Sequence, residues 1–267
     1  MFAALMLTGL LAAAPALPKV SHVTIVMMEN RNYESIVGNA DAPYFNDTLV
    51  KAGAMLNNSH AVGHPSEPNY LAIFSGSTQG VTSDACPRTF SSANLASELA
   101  AARLTFAGWS ESMPSAGYTG CRYERTYARK HVPWVNFTNV PASDNLVYHG
   151  LPVDNMPTVS FVVPNMCNDM HDCAARIGDD WLSKNLPPII AWNAKHNGLL
   201  IVSWDEADPD TGDNRIPTIL VGPMVRPGAK SEQFVDHYGV LRTIESFFGL
   251  ACIDDECKAA PITEIWQ

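Results

Sequence analysis

HVTIVMMEN, residues 22–30, is a short run rich in apolar and β-branched residues that ends on a carboxylate and an amide, Glu29 and Asn30. A run that is nearly apolar throughout reads as a strand buried on both faces, the habit of a central parallel strand. The plan returns in TVSFVVPNMCNDMHDC (158–173) and again in GLLIVSWDEAD (198–208), each an apolar strand running into a polar loop. IPTILVGPMV (216–225) reads as a fourth strand. Helical patterns fall between them: ANLASELAAARL (93–104), GDDWLSKNLPPIIAWNAKH (178–196) and DHYGVLRTIESFFGL (236–250). Pro187-Pro188 is expected to open a second helix inside the middle one. Strands alternating with helices imply an α/β fold, a mostly parallel sheet covered on both faces in three αβα layers. Residues 105–157 read instead as loops and strand fragments, a cap-like insertion over the sheet edge.

In open α/β sheets, ligands bind beyond the carboxyl ends of the strands. Three such ends carry Glu29-Asn30, the group Asn168, Asp169, His171 and Asp172, and Asp205-Glu206. Two more candidates stand at helix mouths: His237, and Ser66 in AVGHPSEPNYLAIFSG (61–76). Ser66 has a structural reading as a helix N-cap, with Pro68 in the first turn and Asn69 where a capping box carries Glu or Gln. It has a chemical reading as a nucleophile beside an anion site, because a helix start offers free backbone N–H groups to a phosphoryl oxygen.

Carboxylates from separate strand ends, with an amide oxygen and a serine, form a hard oxygen-rich set suited to Mg²⁺, Ca²⁺ or Mn²⁺, with Zn²⁺ also compatible. A metal touching the serine oxygen favours its alkoxide near neutral pH. His171 and His237 are candidates to protonate a departing alkoxide. A lone loop histidine is more often structural. Three ionisable groups in the four residues of DMHD, between two cysteines, weigh toward function for His171. Asp179 and Asp180 read as helix-start carboxylates, and Asp208, Asp210 and Asp213 as a solvated loop.

The chain has 267 residues, room for one α/β domain with a sizeable core, and a formal net charge of −10. That charge argues against a nucleic-acid partner, yet a metal or a few local cations can reverse the field inside a cleft. The apolar N-terminus, with Ala14-Pro15-Ala16 as a cleavage signal, reads as a signal peptide over 1–17 followed by a domain over 18–267. It lacks Lys or Arg ahead of the apolar run, and its rival reading is a buried first element. No further segment is long and apolar enough for a membrane helix. Six cysteines fit a secreted or periplasmic location. The economical pairing is Cys86–Cys121, Cys167–Cys173 and Cys252–Cys257; a zinc site is the alternative, although no C-x-x-C pair occurs.

Taken in order, VMMENRNY, HPSEPNYLAIFSG, ESMP, YARKHVPW, PNMCNDMHDC, SWDEAD and DHYGVLRTIESFFGL resemble the bacterial secreted phosphoesterase family of acid phosphatases and phospholipases C. That family belongs to the alkaline phosphatase superfamily. Within it, the short, cysteine-bearing form is similar to mycobacterial-type secreted acid phosphatases with phosphoinositide phosphatase activity. The resemblance implies an alkaline phosphatase-like fold with Glu29, Asn30, Ser66, Asp205 and Glu206 as ligands of a divalent metal. It implies Ser66 as nucleophile, His171 and His237 around the phosphate or leaving group, and Asn69, Lys130 and His131 facing the substrate. Family members often read HNP where this chain has Val132 after His131. Sulfatases of the superfamily carry C/S-x-P-x-R, whereas Ser66-Glu67-Pro68-Asn69 is followed here by Tyr70.

The expected function is therefore hydrolysis of phosphate monoesters, phosphoinositides among them, through a phosphoserine at a metal site. The partner is a phosphorylated small molecule or lipid headgroup. A phospholipase C-type phosphodiesterase is the alternative on the same scaffold. A non-catalytic, disulfide-stapled surface binding protein is the alternative of another class, and it has no need of Ser66, Asp205 and Glu206 together.

Overall fold

The computed structural model describes residues 17–209 and 212–267. The expected leader, apart from Leu17, and Asp210 of the acidic loop lie outside the described residues. One sheet of eight strands organises the rest: β1 (His22–Met28), β2 (Ala54–Leu56), β3 (Phe106–Ser110), β4 (Asn145–Val147), β5 (Val159–Val163), β6 (Gly198–Trp204), β7 (Thr218–Val221) and β8 (Ala229–Ser231). Their order is β8-β2-β7-β6-β1-β5-β3-β4. Every pairing is parallel except those of β7, which runs against both β6 and β2.

Helices α1 (Ser66–Ser75), α2 (Leu95–Ala101) and α4 (His237–Phe248) contribute to the core on one face of the sheet, and α3 (Ala175–His196) to the core on the other. Strand β1 feeds both. Val23, Ile25 and Met27 enter the first core, and Val26 and Met28 the second. That is the period-two alternation of a strand with no wet face, each large side chain contributing about 1.5–3 kcal/mol by burial.

Three elements depart from the expectations. Strands β3 and β4 belong to the main sheet, so residues 105–157 supply two of its strands as well as covering loops. Strand β3 pairs with β5 along its whole length, and Gly108 in it lets the Trp134 ring close over the strand. Helix α3 runs unbroken over its 22 residues through Pro187 and Pro188. The prolines remove two donors, but a continuous buried stripe of Trp181, Leu182, Leu186 and Ile189 holds both halves to the sheet. Asp179 is not a terminal helix carboxylate; it is buried within α3 and accepts the Tyr44 and Phe45 N–H groups, each at 2.8 Å.

The three disulfides are Cys86–Cys121, Cys167–Cys173 and Cys252–Cys257, with no free cysteine, and the zinc alternative falls away. Among the described residues no helix is long and apolar enough to cross a membrane.

Candidate active site

Register builds the site. Met28 of β1 stands opposite Trp204 of β6, so the residues that follow, Glu29-Asn30 and Asp205-Glu206, leave the sheet side by side. The Asp205 N–H donates to Met28 O at 2.9 Å, and the Asn30 N–H to Asp205 Oδ1 at 3.1 Å. Asn30 has φ +41°, a left-handed turn that asparagine tolerates better than most residues. The third strand end joins through Asp169, whose backbone oxygen accepts the Glu29 N–H at 2.8 Å.

Helix α1 brings the serine. It starts at Ser66, with Pro65 as an extended cap residue and no side-chain capping bond, so the N-cap reading of Ser66 does not hold. The hydroxyl instead donates to Glu206 Oε1 at 3.0 Å and Glu29 Oε2 at 3.2 Å. Every residue of α1 is buried, and the helix ends at Gly76 (φ +65°), where a Cβ would lie 2.1 Å from Ile253 O. Nor does Asn69 complete a capping box. Its oxygen accepts from Val62 and Gly63, and its NH₂ donates to the Gly63 and Pro65 oxygens, bracing the loop ahead of the serine.

Glu29, Asp205 and Asp169 are fully buried and Glu206 nearly so. Burial, then the charges of Asp205 and Asp169, raise the Glu29 pKa well above the carboxylate range. Burial and then Glu206 push Asp205 up to about 7. Burial also raises Asp169 and Glu206. Asp205 Oδ2 and Asp169 Oδ2 have no hydrogen-bond partner among the described residues. One atom of the Asn30 amide lies 3.1 Å from Glu29 Oε2 and 3.3 Å from both Asp205 Oδ1 and Glu206 Oε1. As NH₂ its two protons are shared among three carboxylates; as oxygen it joins them around a cation. Crowded, desolvated carboxylates with orphaned oxygens are costly alone and fit a hard divalent cation. The chemistry of this donor set, Glu29, Asn30, Ser66, Asp205 and Glu206, thus fits a hard divalent cation.

Around this set stand the predicted histidines and lysine. His131 is buried, its Nε2 lies 3.2 Å from Glu29 Oε2, and its ring stacks on Tyr70 at 5.1 Å between centroids. Burial and then Lys130 push its pKa well below the usual value, so the ring is neutral. His171 is partly exposed, with its ring 5.8 Å from that of His131; Glu29, His131 and His171 form one group of metal-compatible ligands. Its Nδ1 pairs with Asp172 Oδ1 at 2.7 Å, and its backbone N–H donates to Asp169 Oδ1 at 2.7 Å. Arg31 donates to the Met170 and Cys173 oxygens and fixes that loop. Burial works against the charge of Lys130, but Glu29 and Asp84 overcome it and raise its pKa. His237, at the head of α4, is buried and pairs through Nε2 with the Asp205 backbone oxygen at 2.6 Å.

Sequence reasoning missed three partners. His64 pairs with Glu206, the Tyr70 hydroxyl donates to Glu29, and Asp84 binds Lys130. His64 and Tyr70 flank Ser66 within the segment already singled out, and their proximity was the available signal. Asp84 carries no such signal, because only the fold brings residues 84 and 130 together.

A profile of the phosphoesterase family matches residues 39–251. The chain is 46% identical over 259 residues to a phosphatidylinositol-3-phosphatase of Mycobacterium tuberculosis, spanning 95% of this chain and 85% of that protein. It is 31% identical over 222 residues to a phosphate-repressible acid phosphatase of Penicillium chrysogenum, spanning 76% of this chain and 53% of that protein. Among solved structures, an alkaline phosphatase superfamily protein from Vibrio parahaemolyticus superposes with TM-score 0.63 at 12% identity, over 94% of this chain and 72% of that one. A phosphonate monoester hydrolase from Silicibacter pomeroyi superposes with TM-score 0.62 at 12% identity, over 91% of this chain and 76% of that one. At such identities these two likenesses speak to the fold, and the fold is that of the alkaline phosphatase superfamily.

Proposed function

The chain belongs to the phosphoesterase family, and on that premise we propose that it is a phosphoric monoester hydrolase working through a phosphoserine at Ser66. The observation that carries this reading is the Ser66 hydroxyl held between Glu206 and Glu29 at the carboxyl edge of the sheet. A nucleophile needs a group that takes its proton, and these carboxylates are within reach to accept it. A divalent cation on this oxygen set supplies the Lewis acidity that favours the alkoxide and draws a phosphoryl oxygen toward it.

The remaining residues divide the other tasks. Lys130 and neutral His131 face the phosphoryl group. His171, partly exposed and anchored by Asp172 through Nδ1, has its other ring nitrogen free to protonate the leaving alkoxide. Water then hydrolyses the phosphoserine. His237 fixes the Asp205 backbone, and so acts as a positioning residue rather than as the acid. Asn69 likewise acts through the loop it braces. The Mycobacterium tuberculosis relative, 85% of which this chain covers, is named for a phosphoinositide, and a phosphorylated inositol headgroup is the substrate we propose. Three disulfides support a location outside the reducing cytoplasm.

The test is p-nitrophenolate release from p-nitrophenyl phosphate and from bis-p-nitrophenyl phosphate, with a divalent metal, by wild type and Ser66→Ala. Monoester turnover that vanishes in the variant, with acid-stable phosphate trapped on Ser66 of the wild type, is the expected result. Preference for the diester would favour the phosphodiesterase reading, and absence of turnover with every divalent metal would favour a binding protein.

A further inference from the structure

A cavity of about 350 Å³ is lined by His171 and Lys130 together with Arg122 and Arg125. Both come from a small hairpin in which Arg122 pairs with Ala128 and Tyr123 with Tyr127. The hairpin is held on three sides. Cys121 before it is bonded to Cys86, the Arg129 N–H after it donates to the Cys121 oxygen, and the Met166 N–H donates to Thr126 O at 2.9 Å. That last bond ties the hairpin turn to the loop that carries His171.

Like the exposed Arg103, and unlike most other arginines of the chain, these two guanidinium groups have no protein partner among the described residues. Elsewhere Arg88, Arg176 and Arg215 lie on carboxylates, and Arg129 lies on backbone oxygens. Neither Arg122 nor Arg125 has a side-chain ion pair or hydrogen bond among the described residues, in a chain with net charge −10. Of the carboxylates on the cavity wall, Asp172 is held by His171, and Glu124 sits at the exposed turn between the two arginines. A pair of exposed guanidinium groups without protein partners, carried on a hairpin fixed by backbone bonds and a disulfide, suits planar, bidentate recognition of a phosphate.

We infer that this cavity is a second-anion subsite, in which Arg122 and Arg125 bind a phosphate or phosphodiester of the substrate other than the one being hydrolysed. The inference rests on the phosphomonoesterase reading and narrows it. The preferred substrates are phosphomonoesters with a further phosphate on the same small scaffold, whether free in solution or as a lipid headgroup. A substrate with one phosphate and an uncharged leaving group uses the serine site and leaves the cavity to water.

The readout is a ratio, kcat/KM for inositol 1,3-bisphosphate over kcat/KM for p-nitrophenyl phosphate. It is measured on wild type, on Arg122→Ala/Arg125→Ala, and on Arg122→Gln/Arg125→Gln as a second, bulkier variant pair. Neither arginine makes a fold contact through its side chain, so melting temperatures should match wild type. The ratio should fall about tenfold or more in both double variants, and the wild-type ratio should fall toward theirs as salt rises from 0.05 to about 0.5 M. A third arm uses vesicles of phosphatidylcholine with phosphatidylinositol 3-phosphate, and should show the same loss. A ratio within twofold of wild type overturns the subsite while leaving the serine mechanism standing. Loss on vesicles alone also overturns it, and assigns the arginines to a membrane surface. Full turnover by Ser66→Ala overturns the underlying phosphoserine reading, independently of either arginine.

Discussion

Lys130 Nζ lies 2.8 Å from Asp84 Oδ2, and the other oxygen of Asp84 accepts the Glu67 N–H at 3.0 Å. One carboxylate thus joins Lys130, the cation proposed to face the phosphate, to the first turn of the helix that carries Ser66, the proposed nucleophile. Asp84→Asn should keep the Glu67 bond and release Lys130. We expect kcat/KM for phosphomonoesters to fall about tenfold, mostly through KM, because a loosened lysine binds ground state and transition state alike less well. Initial-rate kinetics check this; a change confined to kcat would contradict it.

Ser66→Ala should abolish turnover, by a factor of about 1,000 or more, while the protein folds. The hydroxyl is not a helix cap, so no capping energy is lost. What the variant loses is one donor to two buried carboxylates, a cost of about 1 kcal/mol. Phosphate release and a thermal melt on the same preparation measure both.

A divalent cation should raise the melting temperature, and excess chelator should lower it. The site gathers four buried carboxylates, and a ligand that binds only the folded form stabilises it by mass action. Asp205→Asn should remove most of that rise. Calorimetric melts at several metal concentrations give the answer without reference to activity.

Glu245 should make stability depend on pH. It is fully buried on α4; burial first, then the neighbouring carboxyl of Glu256, push its pKa from 4.5 to about 9, against the pull of Arg242. The folded state therefore holds a proton that the unfolded chain releases. Its contribution is complete below the ordinary carboxylate pKa and is lost as pH rises through about 9. Melts from pH 4.5 to 9 should fall more steeply for wild type than for Glu245→Gln. The variant should be the more stable of the two at the alkaline end.

Gly108→Ala should destabilise the fold by about 1–3 kcal/mol, since a Cβ there would lie 2.1 Å from Trp134 Cε2 in a core with no room to move. Denaturant unfolding measures it, and a loss under about 0.5 kcal/mol would mean the indole shifts freely.

The strand ends were legible because an apolar run that stops at a carboxylate is a local pattern, and Glu29, Asp205 and Asp169 each sit at one. The role of Ser66 was half legible. Local chemistry allowed a cap or a nucleophile, and the hydroxyl's contacts with residues 37 and 140 positions away favour the second. Asp84, and the place of β3 inside the sheet, depended on long-range pairing that no short window contains. Helix α3 crosses Pro187-Pro188 because tertiary burial overrode a local breaker.

Strand β1 lies at the middle of the sheet, yet its two neighbours are β5 and β6, beginning at Val159 and Gly198. During synthesis the first strand therefore waits, apolar on both faces and with both edges bare, while well over half the chain is made. Nothing local can shelter it, since closing so long a loop precedes any contact that rewards it. Folding of this domain is thus a late, all-together event, and VTIVMM (23–28) is the segment an escorting chaperone would have to cover in the meantime.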